Sequence, residues 1–267
     1  MGHASSRSAL ALTLIDSKRT AQDLLQEAER ADFYLEECRD DAINALARRR
    51  LAYSANSITP AESISYQAHL NQMIPLLPLR LQLDLGDIRI VPLMPSADGG
   101  MPHTRPGNVV CYPILSQLHS KSTLTHELWH VHQRTFQEEW QSLFEQLGWT
   151  PWNGVLPPLM EKNRRFNPDT IDHPLWVYQN TWVPVPIFND SATPLLHEVS
   201  IWWYHCIEKY HVKQIPTAIQ NQFPGMPPSS YEHPRELTAY LLADAAEHRN
   251  NPALRTILTI LGQDAIS

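Results

Sequence analysis

Thr125-His126-Glu127-Leu128-Trp129-His130 is the stretch on which the reading of this chain turns. It lies in a helical pattern running from Ser116 to about Leu147, with Leu124, Leu128, Val131 and Thr135 on one side. Residues four apart stack on one helix face, so His126 and His130 can offer their imidazoles to a single metal ion. Glu127 is rotated from His126 by about 100°. There it can reach a water on that metal without being a ligand itself, which suits a general base. Two imidazoles beside a water-directed glutamate suit zinc. His132, about 200° from His130, is expected in the core or behind the ligands.

Outward from this helix, Asn108 to Ile114 reads as a strand, preceded by a turn at Asp98-Gly99-Gly100. Further back, Leu79, Leu81, Leu83 and Leu85 alternate with polar residues, as do Ile88 and Ile90, across Gly86-Asp87. This predicts a β-hairpin. Pro60 begins a helix over 60–74. Ala21, Leu24, Leu25, Ala28, Ala31, Leu35 and Cys38 recur at helical intervals and predict an amphipathic helix from Thr20 to about Leu51. The Arg48-Arg49-Arg50 cluster would form its solvated end. Beyond the motif, the prolines between 150 and 195 predict ordered coil with strand pieces around 176–178 and 183–188. A helix is expected over 195–211, a turn-rich stretch over 223–230, then a helix over 234–249 and a short one near the end. The fold class is α+β: mainly helical, with a small antiparallel sheet before the motif helix. One domain spans 1–267, comprising N-terminal helices (1–75), sheet and motif helix (79–147), and the proline-rich segment with C-terminal helices (148–267).

The H-E-x-x-H helix after a strand resembles the zincin superfamily of metallopeptidases. No H-x-x-G-x-x-H continuation follows His130, so the metzincin branch is excluded. The gluzincin branch takes a glutamate from a later helix as third ligand. The match here is His233-Pro234-Arg235-Glu236-Leu237-Thr238-Ala239-Tyr240, which makes Glu236 the implied ligand. His197, Glu198 and His205 on the expected 195–211 helix are competing candidates. Zincins give a tyrosine or histidine the task of stabilising the oxyanion. Tyr112, Tyr231, His233 and Tyr240 are candidates, with Tyr240, one turn after Glu236, preferred. The resemblance covers residues 88–136 and 231–245.

Composition narrows the partners. With 267 residues, 43% hydrophobic and 18% charged, the chain can bury a substantial core. A net charge of −7 without a basic stripe argues against nucleic acid, and no apolar run is long enough to span a membrane. Residues 1–14 read as a leader entering a helix, with a cytoplasmic protein behind it. Cys38, Cys111 and Cys206 have no metal or disulfide spacing and read as free thiols. The tryptophans are expected in the core, with an aromatic-lined substrate pocket as the lesser reading, and the polar stretch Asn163 to Asp169 reads equally as a surface loop or as a segment reaching the active-site cleft. The reaction these features favour is zinc-dependent hydrolysis of a peptide or amide bond. The alternatives are a small-molecule lyase or hydrolase of secondary metabolism acting on a peptide-derived amide, and a non-catalytic zinc-stabilised binding protein. The alkaloid-pathway cyclopenases exemplify the former, and the chain is similar to them in general character only.

Overall fold

The computed structural model describes residues 9–262. Strand β1 (Ala11–Leu14) occupies the stretch expected to lead into a helix, while residues 1–8 lie outside the described residues. The long helix expected over 20–51 is three: α1 (Lys18–Asp32), α2 (Tyr34–Asp40) and α3 (Ala42–Arg48). The first break is Phe33, in left-handed backbone at φ 54°, and the second is Asp41, whose side chain caps α3 by accepting from the Asn44 N–H. Arg48, expected in solvent, turns inward and donates to the Tyr34 hydroxyl at 2.5 Å and the Phe166 carbonyl at 3.0 Å. Helix α4 (Pro60–Met73) forms as expected, with a Thr59/Glu62 capping box before Pro60.

The predicted hairpin does not form. Its first arm is helix α5 (Leu79–Asp84), and only the second is a strand, β2 (Asp87–Pro92). Leu81 and Leu85, four apart, are buried, whereas Leu79 and Leu83 are 67% and 62% exposed. Unbranched leucines suit a helix, and an Arg80–Asp84 ion pair braces one turn. After the Asp98–Gly100 turn come β3 (His103–Arg105) and β4 (Val109–Tyr112). The sheet order is β1-β2-β4-β3, with β1–β2 and β2–β4 parallel and β3–β4 antiparallel. The sheet before the motif is therefore mixed, not antiparallel. Parallel neighbours need intervening chain to cross back, which α1 to α5 and the 93–108 excursion supply.

The helical pattern of 116–147 divides into a short 3₁₀ turn (Leu115–His119), α6 (Lys121–Thr135) and α7 (Gln137–Gln146). Nine residues of α6 are buried, around most of its circumference. Then come β5 (Trp149–Pro151), α8 (Pro158–Lys162), β6 (Trp176–Tyr178) and β7 (Trp182–Phe188), close to the strand pieces expected. The helix expected over 195–211 is instead strands β8 (Val199–His205) and β9 (Tyr210–Val212). Val199, Ile201, Trp202, Trp203 and Tyr204 are branched or aromatic residues that favour a pleated surface. β8 pairs with the whole of β7, from Trp182↔His205 to Phe188↔Val199, in the antiparallel order β5-β6-β7-β8-β9. Pro184 and Pro186 fit within β7 because alternate residues face alternate edges. The Pro186 carbonyl and Phe188 N–H bond to Arg165 and Asn163, so the proline nitrogens face that segment and not the β8 ladder. Helices α9 (Thr217–Gln222), α10 (Pro234–Ala243) and α11 (Pro252–Ile260) complete the α+β fold.

The chain divides into two compact units, residues 9–31 with 52–135, and residues 32–51 with 136–262. The first packs Ala21, Leu25, Val91, Leu93, Val109 and Cys111 between α1 and the mixed sheet. In the second, Leu156, Met160, Val177, Val183, Val185, Ile187 and Tyr204 form a cluster on the antiparallel sheet. Among the described residues no disulfide forms: Cys38 and Cys111 are buried thiols and Cys206 is a partly buried one.

Candidate metal centre

Helix α6 brings the Nε2 atoms of His126 and His130 to 3.0 Å, their rings nearly perpendicular at 83°. Two zinc–nitrogen bonds of about 2.0–2.1 Å at a tetrahedral angle put the nitrogens roughly 3.3–3.4 Å apart, so the pair suits a shared ion. The other nitrogen of His130, Nδ1, lies 2.8 Å from the Gln133 Oε1. As donor there, it leaves the Nε2 lone pair for a metal. Glu127 is 4% exposed. The nearby Tyr112 hydroxyl is buried without a hydrogen-bond partner, and burial first, then the Glu127 charge, pushes its pKa well above the ordinary phenol value. His132 is a core residue, its Nε2 2.9 Å from the Asp84 Oδ2 and its ring against Trp129.

Helix α10 is anchored at its start. His233 is its N-cap, with Nδ1 accepting from the Arg235 N–H at 3.0 Å and Nε2 donating to the His173 carbonyl at 2.9 Å. The Arg235 guanidinium grips both Asp172 oxygens, at 2.6 and 2.8 Å. Glu236, in the first turn, is 7% exposed. Its Oε1 accepts from the Asn167 Nδ2 at 3.1 Å, and the same amide donates to the Glu232 Oε1 at 2.5 Å. Arg165 pairs with the other oxygen of Glu232. Burial pushes the Glu232 carboxyl up, and Arg165 opposes that shift.

One ligand atom from each of His126, His130 and Glu236 lies within 4.8 Å of the other two. Two imidazoles and a carboxylate are a zinc donor set, leaving a fourth position for water or substrate. The competing candidates do not assemble. His197 and Glu198 are exposed, and His205 sits on β8 between Trp182 and Tyr210, its Nδ1 accepting from the Glu208 N–H. Two of the proposed oxyanion donors are committed elsewhere: both His233 nitrogens are engaged, and the Tyr231 hydroxyl donates to the Phe223 carbonyl at 2.5 Å. Tyr240 is partly buried one turn beyond Glu236.

Sequence reasoning missed the roles of Asn167, Glu232 and Arg165. The signals available were the polar 163–169 segment and the i,i+4 spacing of Glu232 and Glu236. Compared with protein-family models, curated proteins and solved structures, the chain matches none.

Proposed function

We propose that the chain is a zinc-dependent hydrolase of amide or peptide bonds, similar to the gluzincin branch of the zincins. In this reading His126, His130 and Glu236 hold the metal and Glu127 is the general base. The observation that carries it is the convergence of those three ligand atoms within 4.8 Å, one helical position from a buried glutamate. A zinc ion held there would polarise the scissile carbonyl and lower the pKa of the attacking water. Glu127 takes the water proton and hands it to the leaving nitrogen. Its carboxylate is available for this because the proposed ligand set of His126, His130 and Glu236 does not use it. Gln133 keeps His130 in the tautomer that offers Nε2, and Tyr240 is the proposed donor to the oxyanion.

The test pairs wild type with Glu127→Gln on linear peptides and on compact cyclic amides. The amide is nearly isosteric but cannot accept a proton. The variant should keep its metal and fold while turnover falls by about 10²–10⁴-fold. Turnover within a few-fold of wild type would remove Glu127 from the base role.

A further inference from the structure

The 163–169 segment lies outside the ligand set yet ends on it. Its backbone is tied down on two sides. The Arg165 N–H donates to the Pro186 carbonyl on β7 at 2.8 Å. Asn44 of α3 takes the Phe166 N–H at 2.9 Å and donates to the Arg164 carbonyl at 2.8 Å. The segment then presents one amide, Asn167, to two carboxylates, Glu232 and Glu236, which are only 5% and 7% exposed.

The orientation of that amide is fixed by its neighbours. Oδ1 accepts from the Asp169 N–H at 2.9 Å, and carboxylates can only accept from the opposite side. Nδ2 therefore faces both acids, with one hydrogen for each. The hydrogen bond on Oε1 restrains the Glu236 carboxylate from one side. Glu232, held from behind by Arg165, keeps the amide from swinging away. A lysine at 167 would add a positive charge that repels a metal and weakens Glu236 as a ligand. An amide supplies the two donors without a charge.

We propose that Asn167 is a positioning residue for Glu236, braced through Glu232 and Arg165, and that it sets the affinity and geometry of the metal site. This rests on the reading of Glu236 as a ligand. Outer-shell partners of metal ligands carry about 10–100-fold in affinity.

The experiment measures zinc affinity by chelator competition, and the visible spectrum of the cobalt(II) form, for wild type, Asn167→Ala, Asn163→Ala and Glu236→Ala. Asn163 is the control. It is a buried amide of the same segment that donates to the Leu159 carbonyl at 2.7 Å, so its loss disturbs structure without reaching Glu236. Asn167→Ala should weaken zinc about 10–100-fold and alter the cobalt bands, Asn163→Ala should leave both unchanged, and Glu236→Ala should weaken zinc most. Should Asn167→Ala not fold, Asn167→Ser keeps a short acceptor for the Asp169 N–H without spanning both acids, and the same result is expected. If the Asn167 variant binds zinc within threefold of wild type with an unchanged spectrum while Glu236→Ala loses it, the positioning role is overturned and the ligand set stands. If Glu236→Ala also binds as wild type does, the ligand set falls and the inference falls with it.

Discussion

His233 accepts a hydrogen bond with one ring nitrogen and donates one with the other, which leaves no room for a second proton. Burial first, and the neighbouring Arg235 charge second, lower its pKa from 6.5 to about 3. With the folded value below the unfolded one, the unfolded chain binds the extra proton first. The His233 contribution is complete above pH 6.5 and is lost as pH falls through that window towards about 3. His233→Asn supplies a cap that does not titrate. Urea midpoints followed from pH 7 to 4 in chelator should fall less steeply for the variant than for wild type, even though its stability at pH 7 is lower. Parallel slopes would remove His233 from the acid response. At this scale the legible residues were those whose geometry is local. The spacing of His126, Glu127 and His130 follows from helix periodicity alone. Glu236 came into view only through a family resemblance. Asn167 could not, because its role depends on Glu232 and Glu236 being folded against it from far along the chain.

Elements were legible where their ends were marked. Thr59, Pro60 and Glu62 announce α4 through a cap, a fixed φ and a reciprocal glutamate, and the helix starts there. Leu79–Leu85 carries no such mark beyond Pro78, and alternating leucines satisfy both a strand and a four-residue helical face. Burial of Leu81 and Leu85 decided it. The Leu195–His211 stretch failed differently: spacing was counted for His197 and His205, while the branched and aromatic run between them favoured pairing with β7. Gly148 marks the passage from α7 to β5. It has φ +89°, and a Cβ there would meet the Tyr178 ring at 3.3 Å. Left-handed backbone costs a residue with a Cβ about 1–2 kcal/mol. Gly148→Ala should therefore lose roughly that much in urea unfolding, with zinc stoichiometry unchanged; a loss under ~0.3 kcal/mol would mean the turn relaxes freely.

For the whole molecule, the proposed ligands come from helices far apart in the chain, so an ion that binds only the folded protein shifts the unfolding equilibrium. At a hundredfold excess of free metal over its Kd the gain is about 2.7 kcal/mol. Thermal unfolding of wild type should move down on adding chelator and recover with zinc. His126→Ala and His130→Ala should not respond to either, and a wild type indifferent to chelator would count against the site. No helix among the described residues is long and apolar enough to cross a membrane.

The two units are interleaved along the chain, and this gives them different schedules during synthesis. The first unit has all its described residues once 135 has left the ribosome. The second takes residues 32–51 from early in the chain and the rest from 136 onwards. Asn44 therefore emerges long before Arg164 and Phe166, whose backbone its side chain satisfies. At about 5–20 residues per second, α2 and α3 wait on the order of ten seconds for the segment they hold in place. Tyr34, Cys38 and Ile43 of this early insert are all buried in the finished protein. The nascent chain is then most open to chaperone capture or to pairing with a neighbouring copy, and the vulnerable piece is this early insert, while helix α6, which carries the proposed ligands His126 and His130, belongs to the unit whose described residues are already made.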